Sequence, residues 1–226
     1  MPSSFYRLLI LGVLAFGAPT FGQQAAPKAH TLIVFGDSIT AGGALPKDQA
    51  DQLWLKLIEK QSAGALTLLN EGKGGRPSAS VPEFEQMLAR RPKADGLIVA
   101  LGMNDSRDLT AECVPKAVAN VRAMIEKARQ AHGATFPVLL LGPTNINLAA
   151  LGPTKPIGPQ REAKLRELGD AFASLATETH CEFISLFGAV PAASLLKDGV
   201  HPDAAGNAAI AKTLGPRLQA WAAGFR

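Results

Sequence analysis

Cysteine is scarce: the chain holds two, Cys113 and Cys181, in 226 residues. That excludes a disulfide-dense scaffold. Neither the cysteines nor the four histidines stand at the spacing of a zinc site, so no metal is expected. Long apolar runs are missing after the amino-terminal region, and no later segment is expected to enter a membrane. No glycine loop with dinucleotide or P-loop spacing follows the first strand-like run, which leaves no nucleotide cofactor to expect. The positive residues are scattered and not interleaved with aromatics, which speaks against a nucleic-acid partner despite a pI of about 9.2. Internal repeats and a domain linker are also lacking.

What is present begins with a targeting pattern. Arg7 precedes an apolar run over 8–16, and Thr20-Phe21-Gly22 offers small residues where a signal peptidase reads. We expect 1–22 to be a signal peptide, 23–226 to be one domain, and the mature protein to be secreted or periplasmic. A signal anchor is the competing reading, disfavoured because the run is short for a bilayer. No cysteine follows the run to carry a lipid. Removing 1–22 takes away one charge, Arg7, and leaves 204 residues with 22 basic and 19 acidic side chains, a net +3. That is ample chain for one core.

Five short apolar or β-branched runs, over 31–35, 66–69, 96–100, 137–141 and 183–186, alternate with helical patterns over 49–61, 81–90, 114–131, 160–179 and 203–223. Such alternation predicts an α/β domain, a three-layer α/β/α sandwich around a five-stranded parallel sheet. The segment 142–159 is rich in Pro, Gly and Asn and reads as a long loop, part of a binding site or a tolerated insertion. Cys113 falls at the carboxyl end of the sheet and Cys181 at the opposite end. A strand of ordinary length separates those ends by roughly 17 Å, whereas a disulfide needs Cα atoms closer than about 7 Å. Two free thiols are therefore expected.

Ligands of such sheets bind beyond the carboxyl ends of the strands. The residues there are Phe35-Gly36-Asp37-Ser38, Asn70-Glu71-Gly72-Lys73-Gly74-Gly75-Arg76, Gly102-Met103-Asn104-Asp105 and Asp198-Gly199-Val200-His201-Pro202. Acyl transfer needs a hydroxyl, a base to take its proton, a group to hold the base and donors for the oxyanion. Ser38 follows a strand at a glycine-permitted turn. Asp198 and His201 lie three apart on a turn, so the carboxylate can hold one ring nitrogen while the other faces the crevice. The Ser38 amide, a second-loop glycine and the Asn104 side chain supply donors. Each feature alone also fits a turn or a helix cap. His30, His132 and His180 lack an acidic partner and are expected to be structural or exposed.

Together the four blocks, Gly36-Asp37-Ser38-Ile39, Asn70-x-Gly72-x-x-Gly75, Gly102-x-Asn104-Asp105 and Asp198-x-x-His201, resemble those of the SGNH hydrolases, or GDSL esterases and lipases. The resemblance spans nearly the whole mature chain. It implies a flavodoxin-like fold, a Ser38 nucleophile, a His201 base oriented by Asp198, and an oxyanion hole of Ser38, Gly75 and Asn104. Ile39 stands where the family name has leucine, and the Gly74-Gly75 pair leaves the spacing from Asn70 to select Gly75.

The run from Gly75 to Ser80 looks like the second block of rhamnogalacturonan acetylesterase-like members, which makes Arg76 a candidate contact to sugar hydroxyls or a uronate, with a surface charge as the alternative; Asp37 is a further candidate substrate contact. Hydrolysis of a short O-acetyl ester on carbohydrate, small or polymeric, is the leading expectation. Lysophospholipase-, arylesterase- and thioesterase-like activities remain open, as does a non-catalytic binding module on the same scaffold; an intact set of Ser38, Asn104, Asp198 and His201 favours an enzyme.

Overall fold

The computed structural model describes Met1 and residues 29–151 and 157–225. The expected signal segment lies outside them. Five strands, β1 (His30–Gly36), β2 (Leu66–Gly72), β3 (Gly96–Ala100), β4 (Val138–Gly142) and β5 (Glu182–Ser185), form one sheet. All pairings are parallel, in the order β2-β1-β3-β4-β5. This is the doubly wound flavodoxin-like order, in which the strand order reverses between β1 and β3, the place where such sheets bind ligands.

The strands are apolar on both faces because helices cover both. Ile33, Phe35, Leu97, Val99 and Leu140 pack against Phe84 and Met87 of α3 (Val81–Arg90), Val121 and Met124 of α4 (Cys113–His132) and Phe172 of α6 (Gly158–Glu178). The alternate residues Leu32, Val34, Ile98 and Leu139 meet Trp54 and Ile58 of α2 (Trp54–Gln61) and Ile210 and Leu214 of α7 (Ala204–Ala223). Two short helices, α1 (Ser38–Ala41) and α5 (Leu148–Leu151), lie in loops at the carboxyl edge.

Three boundaries differ from the sequence expectation. The helix expected over 49–61 is a 3-10 turn, Lys47–Gln52, followed by α2, with Leu53 extended between them. The break has a tertiary cause: Asn207 of α7 accepts the Trp54 N–H at 3.1 Å and caps α2 from across the fold. β2 runs through Asn70 and Glu71 to Gly72, since the register with Val34, Phe35 and Gly36 continues regardless of their polarity. Helix α6 starts at Gly158, with Pro159 in its first turn, where the missing N–H costs nothing. Buried Cys113 and half-buried Cys181 are free thiols.

Candidate active site

The site begins where β1 ends. Asp37 leaves the strand in an extended conformation, and its Oδ1 accepts the Ile39 N–H at 2.9 Å, capping α1. Ser38 is thereby the first residue of a one-turn helix, and its own N–H belongs to the turn that has no carbonyl within the helix. The helix sits directly on the end of β2. A Cβ at Gly72 would lie 2.2 Å from the Ala41 nitrogen, so only glycine admits this approach.

The loop after β5 brings the other partners. His201 Nε2 lies 2.8 Å from Ser38 Oγ, across 163 residues of sequence. Its Nδ1 is 2.5 Å from Asp198 Oδ2. An ionised carboxylate only accepts, so Nδ1 carries the proton and Nε2 presents its lone pair to the hydroxyl. Asp198 Oδ1 meanwhile takes the N–H groups of Val200 at 2.9 Å and His201 at 3.0 Å, which closes the turn. Burial pushes the Asp198 carboxyl up, but the hydrogen bonds from the His201 ring and from the two amides outweigh it and bring it down to about 2. The carboxylate is therefore charged at neutral pH. The pair is open to solvent, with side chains 25% (His201) and 40% (Asp198) exposed.

The second and third loops are sewn together. Gly75 stands at φ +73° in a turn closed by the Arg76 N–H on the Lys73 carbonyl at 3.3 Å. Asn104 Nδ2 donates to the Arg76 carbonyl at 3.1 Å. Next to it, Asp105 accepts the Ser78 N–H at 3.0 Å and the Ser78 hydroxyl at 2.5 Å. Asn104 is thus fixed to the loop that carries Gly75.

Two candidate substrate contacts have other duties. The Arg76 guanidinium turns inward, 8% exposed, over the Phe35 ring at 4.0 Å. Its Nη1 donates to the Gly36 carbonyl at 2.7 Å and to the Glu71 carbonyl, and its Nη2 reaches Glu83. It braces the second loop against β1 and is not presented to a ligand. Asp37 is 3% exposed and spends its carboxylate on the α1 cap. Burial, opposed by the Ile39 N–H, raises its carboxyl to about 6.

Several residues that hold the site were not singled out from the sequence. Asn145 donates to the Val190 carbonyl at 2.8 Å and accepts from Gly188 at 3.1 Å. Asn147 donates its side-chain amide to Ala192 at 3.0 Å and its backbone N–H to Gly199 at 2.8 Å. The first half of the 142–159 loop is therefore a clamp on the segment that carries Asp198 and His201. Gly199 is held at φ +71°, and a Cβ there would meet the Asn147 carbonyl at 2.7 Å. Behind the third loop, buried Arg161 donates to Ser106 Oγ and to the Met103 carbonyl, both at 3.0 Å. The Asn145-Ile146-Asn147 pattern was visible as a polar stretch, but the carbonyls it reaches are set by the fold.

Comparison with known proteins adds the family. The model of the GDSL-like lipase/acylhydrolase family matches residues 34–209, which include all four blocks. No curated protein matches the sequence significantly. Among solved structures, a carbohydrate acetylesterase family member from Sinorhizobium meliloti superposes with TM-score 0.69 at 20% identity, covering 85% of this chain and 99% of its own. A lipase/acylhydrolase from Enterococcus faecalis gives 0.65 at 19%, covering 84% and 96%. An aryl esterase of M. smegmatis gives 0.65 at 20%, covering 85% and 100%. At these identities the structures speak for the fold, and the family match speaks for the chemistry. With 34–209 matched by that family's model, the chain belongs to the GDSL-like lipase/acylhydrolase, or SGNH hydrolase, family and is a serine ester hydrolase.

Proposed function

We propose that the protein is an exported esterase that works through an acyl-enzyme on Ser38 and removes short acyl groups, acetyl above all, from carbohydrate. The observation that carries the mechanism is the unbroken hydrogen-bonded line Ser38 Oγ, His201, Asp198. In the first half-reaction Ser38 Oγ bonds to the ester carbonyl carbon while its proton passes to His201 Nε2. The carbonyl oxygen becomes an oxyanion, for which the Ser38 and Gly75 N–H groups and the second hydrogen of the Asn104 amide are the donors. Collapse breaks the bond to the alcohol oxygen, which takes the proton from His201 and leaves. Water then attacks the acyl carbon with His201 again accepting the proton, collapse breaks the bond to Ser38 Oγ, which takes that proton back from His201, and the acid departs. Asp198 stays charged throughout and stabilises the imidazolium.

The substrate class draws on an open site: a base and orienter exposed to solvent suit a small acyl group on a bulky alcohol. The similarity to a carbohydrate acetylesterase points the same way. Export rests on the basic, apolar and small-residue pattern of 1–22, and among the described residues no helix is long and apolar enough to cross a membrane. A lipid or aryl ester reading draws on Leu109 and Leu148, each 40% exposed, one in the loop after β3 and one on α5. Initial rates on nitrophenyl esters of increasing acyl length, run beside acetate release from acetylated xylan and pectin, separate the two. We expect a sharp acetyl preference with release from a polymer; equal or rising rates on long chains would favour the lipid reading.

A further inference from the structure

A second cleft opens beside the oxyanion residues. It measures about 420 Å³ and lies between the second loop, the third loop and the first turns of α4, with Asn104 as the residue it shares with the active site. That volume falls within the roughly 300–1,000 Å³ range of small-molecule sites. Acetyl is far too small to need it. Ser78, Asp105, Asp108, Lys116 and Asn120 line it together with the small apolar groups of Pro77, Ala79, Cys113 and Ala119, whereas no aromatic or long aliphatic side chain does. An alkyl chain placed here would strip water from these polar groups without replacing their hydrogen bonds.

The hydrogen bonds already made say which groups are left for a ligand. Both Asp105 oxygens accept from Ser78, and Asn120 Nδ2 donates to Ser78 Oγ at 3.2 Å, which engages Ser78, Asp105 and the Asn120 amide nitrogen with one another. Among the lining residues, the Asn120 side-chain oxygen, the Lys116 ammonium and the second oxygen of Asp108 are acceptor, donor and acceptor. Asp108 Oδ1 takes the Thr110 N–H at 2.9 Å, and bonds from Thr110 keep the carboxyl below its ordinary value, so it is charged. The lining holds two carboxylates, Asp105 and Asp108, against one ammonium, Lys116. Hydroxyl groups, which both donate and accept, satisfy such a surface; further negative charge does not.

The geometry points to a subsite for a neutral sugar unit of the substrate, next along the polymer from the acetylated one, which selects against uronate-rich chains. This deepens the carbohydrate reading of the Ser38 centre and rests on it. The test separates the two. Turnover of 4-nitrophenyl acetate by the wild-type protein reports the Ser38 centre alone. Calorimetric titration of the Ser38→Ala protein with acetylated xylo-oligosaccharides, and with oligogalacturonates of equal length, reports the cleft. We expect the neutral oligosaccharide to bind at least tenfold more tightly than the uronate. Ala119→Trp, which plugs the cleft from an exposed position on α4, should weaken the neutral ligand about tenfold, and Asp108→Asn, which keeps the turn, should narrow the gap between the two ligands. Absence of oligosaccharide binding, binding indifferent to Ala119→Trp, or tighter binding of the uronate would overturn the subsite even if 4-nitrophenyl acetate is hydrolysed. Loss of 4-nitrophenyl acetate turnover with oligosaccharide binding intact would count against the Ser38 mechanism instead.

Discussion

Asp37 precedes the serine by one residue and Asp198 precedes the histidine by three, yet the fold treats the two carboxyls in opposite ways. Asp37 is 3% exposed and takes the Ile39 N–H, and burial raises it to about 6. Asp198 is half-buried, its side chain 40% exposed, and takes the His201 ring proton and two amides, and these bring it down to about 2. Closeness to Ser38 in sequence therefore says little about a carboxyl's task. What decides is how dry it is kept and how many donors converge on it: Asp198 is a charged partner of His201, and Asp37 is a helix cap that the fold keeps dry.

The contrast can be broken by substitution. Asp198→Asn should lower kcat by about 10³–10⁴, since an amide no longer holds the Nδ1–H tautomer, while Asp37→Asn should lower it less than about tenfold because asparagine caps a helix equally well. Comparable losses in steady-state kinetics for the two variants would erase the distinction. Next in size, Asn104→Ala should reduce kcat by roughly 10²–10³ with KM little changed, the cost of one oxyanion donor; an unchanged kcat would remove Asn104 from the hole. Smaller again is the clamp. Asn147→Ala frees the Ala192 carbonyl and loosens the turn of Asp198 and His201, and misplacement of that kind lowers kcat by about 10–10² at constant KM. A fall in thermal stability with kcat intact would make the clamp purely structural.

A separate effect concerns stability. The folded state holds the Asp37 proton more tightly than the unfolded chain, so ionising Asp37 costs nothing below the ordinary value of 3.8 and its full amount above about 6. At roughly 1.4 kcal/mol per tenfold, that cost is about 3 kcal/mol at most. Asp37→Asn should thus raise the melting temperature at pH 8, with the gain fading as the pH falls from 6 towards 4. An equal gain at pH 4 and pH 8 would show that the buried charge is not its source.

Much of the site was legible because each block carries local chemistry. Gly36-Asp37-Ser38 reads as a strand, a cap and a hydroxyl, and Asp198-x-x-His201 reads as a turn that aims a carboxylate at a ring. The misreadings share one cause, a distant partner. Arg76 in a polar loop looks like a surface charge until the Phe35 ring and the Gly36 carbonyl claim it. The single helix expected over 49–61 breaks because Asn207, on the last helix, caps Trp54. Asn145 and Asn147 appear as loop composition, and their targets lie some 45 residues further on. Periodicity and turn chemistry report neighbours along the chain, and these contacts are made only when the sheet assembles.

The central claim is that Ser38 is the hydroxyl that becomes acylated, activated through His201. Its most direct test is exposure to diisopropyl fluorophosphate followed by peptide mass spectrometry. One phosphoryl adduct on Ser38, formed in step with loss of esterase activity and greatly slowed by His201→Ala, is the expected result. Inactivation with the adduct on another residue, or labelling of Ser38 as fast in the His201→Ala protein as in the wild type, would contradict it.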